Sequence, residues 1–65
     1  MKEINRTNTC VSFKGNNRFA NIVRDTNNSN YFKVVTKSEA GTIKTIATRC
    51  DYSTAYNLVK EFIEK

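Results

Sequence analysis

Two periods divide this chain. Between residues 9 and 49, apolar and polar side chains alternate in short runs, as on strands with one covered face; after Cys50 the apolar spacing lengthens to that of a helix. Residues 9–14 put Val11 and Phe13 on one side and Cys10, Ser12 and Lys14 on the other. Gly15, Asn16 and Asn17 tolerate positive φ and predict a tight hairpin. Residues 18–24 are rich in strand formers with imperfect alternation: Phe19 and Val23 face one way, Ala20, Ile22 and Arg24 the other. The segment from Asp25 to Asn30 has no apolar residue and reads as an exposed connector. Residues 31–37 give the strongest strand, with Phe32, Val34 and Thr36 on one face and Tyr31, Lys33, Val35 and Lys37 on the other. A turn at residues 38–41 leads into a fourth strand, residues 42–49. There Ile43 and Ile46 have opposite parity, which requires a bulge or cover from the second side.

Beyond Cys50, the residues Ala55, Leu58, Val59, Phe62 and Ile63 recur at i, i+3, i+4, i+7 and i+8, one apolar stripe along a helix. Asp51 or Ser53 can cap its start by accepting an exposed amide hydrogen. Glu61 and Lys65 are ordered for an i,i+4 pair on its polar side. The fold expected is α+β: a small antiparallel β-meander of three to four strands with one C-terminal α-helix packed on one face, β-β-β-β-α in two layers. Residues 1–8 are polar and uncapped and read as a flexible N-terminal arm, so residues 9–65 make the single domain. Such a domain leaves a sheet face uncovered.

Charge changes the picture, because it falls mostly on the strands. From Arg6 to Arg49 there are eight basic residues against two acids, Asp25 and Glu39, a surplus larger than the net +5 of all 65 residues. Basic residues at every second or fourth position of a strand project from one face. A flat cationic surface attracts polyanions, nucleic acid above all. The candidate binding set is Tyr31, Lys33, Lys37 and Lys44 at the centre, with Arg18, Arg24 and Arg49 at the periphery. Tyr31 supplies a ring for stacking, arginine allows bidentate contacts, and Asn16, Asn17 and Asn21 can hydrogen-bond base edges.

Catalytic equipment is missing from the composition. The chain has no histidine, and its six carboxylates, Glu3, Asp25, Glu39, Asp51, Glu61 and Glu64, are scattered without an obvious converging pair. Two glycines, Gly15 and Gly41, cannot build a phosphate-cradling loop. Cys10 and Cys50, without histidine, do not complete a four-ligand zinc site, and read as small semi-buried hydrophobes that meet only if the first and last strands are close. No enzyme, cofactor or metal is expected. Neither a signal-peptide pattern nor an apolar run long enough for a membrane span is present, so a cytoplasmic location is expected. The acceptor-like triplets Asn5-Arg6-Thr7 and Asn27-Asn28-Ser29 then have no bearing.

A small basic antiparallel sheet followed by a helix entered through Ser53-Thr54-Ala55 resembles, over residues 9–65, the amino-terminal arm-binding domains of tyrosine recombinases and plant AP2-type domains. Those families lay a three-stranded sheet in the DNA major groove. The chain is also similar to the strand-and-helix half of double-stranded-RNA-binding domains, with Tyr52-Ser53-Thr54 where lysines stand in that fold, and it lacks the tryptophan of AP2 strands. The resemblance is architectural and implies a nucleic-acid partner. The reading is therefore a non-enzymatic basic module that binds nucleic acid, DNA first, as monomer or homodimer. The alternative is a phage or mobile-element accessory protein that inhibits or redirects an acidic host protein through the same face or through a strand edge. An outward apolar patch of Ile22, Val35 and Ile46 would favour that alternative.

Overall fold

Asn16 and Asn17 sit at φ 50° and 61°, the paired left-handed conformation of a two-residue hairpin turn whose twist matches the strands it joins. That turn sets Gly15 opposite Arg18 and thereby fixes the register of everything around it. The computed structural model describes residues 1–28 and 30–64. It contains β1 (Lys2–Arg6), β2 (Cys10–Gly15), β3 (Arg18–Arg24), β4 (Phe32–Lys37), β5 (Ile43–Cys50) and α1 (Tyr52–Glu64). The strands form one antiparallel meander in sequence order.

The expected sheet-plus-helix architecture is present with one correction: the sheet has five strands, not three to four. The additional strand, β1, comes from the segment read as an arm. All five of its residues are exposed, so it carries no alternation to betray it; backbone pairing with β2 holds it in place. The pairings β2–β3 and β3–β4 are regular over six residue pairs each. Irregularity is confined to the outer strands. β1 shifts register between Glu3 and Asn5, and β5 shifts twice, between Thr45 and Ala47 and again before Cys50, where Arg49 adopts φ 53°.

The first β5 shift resolves the isoleucine parity. With one extra residue in the strand, Ala47 pairs with Val34 and packs half-buried against the core, while Ile46 turns toward Leu58 and Phe62 of the helix and Ile43 stays on the far side, 68% exposed. The core is Val11, Phe13, Ala20, Ile22 and Val34 from the sheet against Ala55, Val59 and Ile63 from α1. Leu58 and Phe62 complete the expected stripe as partly buried residues. Thr36 is buried among them and donates its hydroxyl to the Lys44 carbonyl at 3.4 Å.

Both ends of α1 are satisfied by side chains. At the start, Asp51 Oδ1 accepts from the Thr54 amide at 2.8 Å, so Asp51, not Ser53, is the cap. At the other end, Asn16 Nδ2 donates to the Ile63 carbonyl at 2.8 Å and Arg18 Nη1 to the Phe62 carbonyl at 2.9 Å. The β2–β3 hairpin thus supplies the positive charge that the last helical turn itself lacks. Gly15 permits this approach: a Cβ there would lie 2.6 Å from Cγ2 of the fully buried Ile63. The expected Glu61–Lys65 pair and the Ser29 triplet each fall partly outside the described residues. Cys10 and Cys50 are both free thiols, on strands separated by β3 and β4, and do not meet.

Candidate nucleic-acid interface

With α1 on one side, the alternation of each strand sends every second residue to the side without a helix. The register then lines these residues up in rows across the sheet. One row runs Lys2, Lys14, Phe19, Lys37, Ile43 through all five strands. Beside it runs Asn5, Ser12, Asn21, Val35, Thr45, and beyond that Cys10, Val23, Lys33. Four lysines therefore share this face, and no strand position on it carries a carboxylate. Glu3, the one acid within a described strand, pairs opposite buried Phe13 and so lies on the helix side.

Phe19 is the centre of the first row. The Lys14 ammonium lies 5.3 Å from its ring centroid and that of Lys37 5.9 Å, one on each neighbouring strand. Around it is a shallow groove of about 270 Å³ whose lining includes Ile4, Ser12, Asn21, Val35, Lys37 and Ile43. Lys2 and Lys14 are direct cross-strand partners. Like charges so placed repel, a cost that a bound anion relieves.

The seven residues singled out from the sequence do not form one surface. Lys33 and Lys37 lie on the open face as expected. Lys44 lies opposite Thr36, on the helix side of the outer strand β5, and Arg49 sits exposed at that strand's second irregularity. Tyr31 falls just outside β4, exposed in the connection from β3, where its carbonyl accepts from the Asp25 amide at 2.9 Å. Arg18 and Arg24 share parity with buried Ala20 and Ile22 and lie on the helix side. There Arg18 holds the helix end, stacks 5.6 Å from the Phe62 ring centroid and pairs with Glu39 at 3.7 Å. Arg24 donates to the Asn8 carbonyl at 3.2 Å and lies 5.2 Å from the Phe32 ring centroid.

A third arginine behaves alike. Arg6 forks onto Glu3 at 2.9 and 3.1 Å and reaches the Tyr52 hydroxyl at 3.4 Å, an arrangement that raises its own pKa and holds the Glu3 carboxyl below the usual range. Arg6, Arg18 and Arg24 are joinery, whereas Arg49 and the lysines of the open face are surface. Of the asparagines, Asn21 lies on the open face, while Asn16 is committed to the helix end.

The residues that sequence reading left out of the site are Lys2, Lys14 and Phe19. A signal for two of them was present. A two-residue Asn-Asn turn after Gly15 dictates that Lys14 opposes Phe19, and the alternation of residues 31–37 then supplies Lys37. Lys2 was legible only as a cation on the N-terminal arm, able to reach a phosphate, because β1 was not recognisable as a strand.

Ile22, Val35 and Ile46 do not make an outward patch: Ile22 is 1% exposed in the core, Val35 is on the open face, and Ile46 is on the helix side. Among the described residues no cluster of side chains suited to a metal ion occurs, and no helix is long and apolar enough to cross a membrane. Comparison with protein-family models, curated proteins and solved structures gives no match to this chain.

Proposed function

We propose that this protein is a non-enzymatic nucleic-acid-binding module, DNA first, that engages its partner through the open face of the sheet. The observation that carries the reading is the sorting of charge: four lysines and no strand carboxylate on the face without a helix. Ammonium groups on one flat face replace condensed counterions along a phosphate backbone, which is the main source of affinity in such complexes. The repulsion between Lys2 and Lys14 adds to the case, since a polyanion relieves it.

Salt-dependent titration with labelled oligonucleotides tests this. Four phosphate contacts give a log-log slope of about −3.6 on duplex DNA and about −2.8 on a single strand. Lys33→Glu with Lys37→Glu abolishes binding and leaves the circular dichroism spectrum intact. Affinity unchanged in that variant assigns the contact elsewhere, and absence of binding at low salt refutes the reading.

A further inference from the structure

Resting on that reading, we infer that the ligand is a single-stranded polynucleotide, with one unpaired base stacked on Phe19 and the flanking phosphates held by Lys14 and Lys37. Three observations converge on this. First, Phe19 is a large, half-buried ring on the side of the sheet that has no helix; its direct cross-strand partners Lys14 and Lys37 are cations, and Ile4, Val35 and Ile43 wall the groove around it. A core-forming phenylalanine belongs on the other side, where Phe13 is 3% exposed. Second, the geometry pairs a planar group with positive charge on both sides along one row, the combination that holds a base and its adjoining phosphates together. Third, the sheet is five strands wide, about 19 Å at the usual interstrand spacing. A duplex major groove is about 12 Å wide and admits a helix or a narrow ribbon, so this face cannot enter one flat. Base edges in a duplex therefore stay out of reach of Phe19, whereas a splayed single strand lays its bases directly on it. Asn21, in the adjacent row, is placed to hydrogen-bond a base edge.

The chain has no tryptophan, so Phe19→Trp introduces a single indole reporter at the proposed stacking position. Short oligothymidine, oligouridine and a hairpin duplex are titrated at one low salt concentration against the parent protein, Phe19→Trp and Phe19→Leu, with thermal melting of each protein as control. The expected result is tighter binding of one or both single strands than of the duplex, with quenching of the introduced indole. Phe19→Leu, which keeps apolar bulk but loses the ring face, is expected to weaken single-strand binding about tenfold without lowering the melting temperature. Duplex binding as tight as single-strand binding, together with an unquenched indole and an unaffected Phe19→Leu protein, overturns the inference and leaves the cationic-face reading standing. Failure to bind any of the three probes removes the reading itself.

Discussion

The two faces of one sheet treat charge in opposite ways. On the helix side, Arg6, Arg18 and Arg24 are each tied to carbonyls, a carboxylate or aromatic rings. On the open side the strand cations Lys2, Lys14, Lys33 and Lys37 are all lysines, and two of them, Lys14 and Lys37, flank the Phe19 ring. The chemistry suits each task. A guanidinium fork is weakly hydrated and directional, which fits a half-buried joint, whereas an ammonium on a flexible stem stays hydrated and adapts to a passing anion. A count of positive charge therefore overstates the binding surface unless the charges that fasten the fold are taken out first.

The sharpest test of this contrast compares neighbouring rows of side chains. Ile22→Ala removes a fully covered core residue and costs about 2–5 kcal/mol, comparable to the about 3–5 kcal/mol that a domain of this size retains, so the variant is largely unfolded in a urea or thermal melt. Val35→Ala, on the open face, costs about 1 kcal/mol or less. Equal losses at the two positions mean that something, such as a second copy, covers the open face in solution. Next in size is the exchange of an arginine for a lysine site. Arg18→Gln lowers stability by about 1–2 kcal/mol, because the Phe62 carbonyl loses a charged donor, and leaves the salt slope of oligonucleotide binding unchanged. Lys37→Gln reverses the pattern: the melt is unchanged and the slope falls by about 0.7–0.9.

How much of this was open to reading from the residues alone depends on what each residue is held by. The helix and strands β2 to β4 declare themselves because they are amphipathic, and amphipathicity is a pattern in sequence, while β5 is marked by its β-branched residues. β1 does not, since its strand character comes from the neighbour it pairs with and not from any covered face. Within the site, Lys33 and Lys37 follow from strand alternation, and Lys14 and Phe19 follow from the hairpin turn once its two-residue length is taken literally. Arg18 and Arg24 went astray for a different reason. Their parity with Ala20 and Ile22 was visible, but the engagement of Arg18 depends on where the helix end arrives and that of Arg24 on the paths of the β1–β2 connection and β4, long-range facts that no local pattern encodes.

The smallest expected effect concerns acid. The Thr54 hydroxyl and amide hydrogen-bond the Asp51 carboxyl and hold it below the usual range. A carboxyl depressed in the folded state adds stability above its unfolded pKa and loses it as pH falls through the folded value, so this helix cap weakens from about pH 4 downward. Asp51→Asn keeps an oxygen acceptor without a titratable charge, and so flattens part of the acid limb of a circular dichroism titration. Glu3, depressed by Arg6, retains the remainder. A limb unaltered by the substitution would show that the cap contributes nothing through its charge.

The extra residues in β1 and β5 bear on something other than binding. Each outer strand presents a row of unsatisfied amides and carbonyls along which another chain can add itself, and a sheet bare on one side would be easy to extend. A ladder that slips by one residue at Ile4, and twice along β5, offers no long straight template for such growth. The interruptions make the sheet finite, so the lysine face remains a surface for another kind of molecule instead of becoming the flank of a fibril.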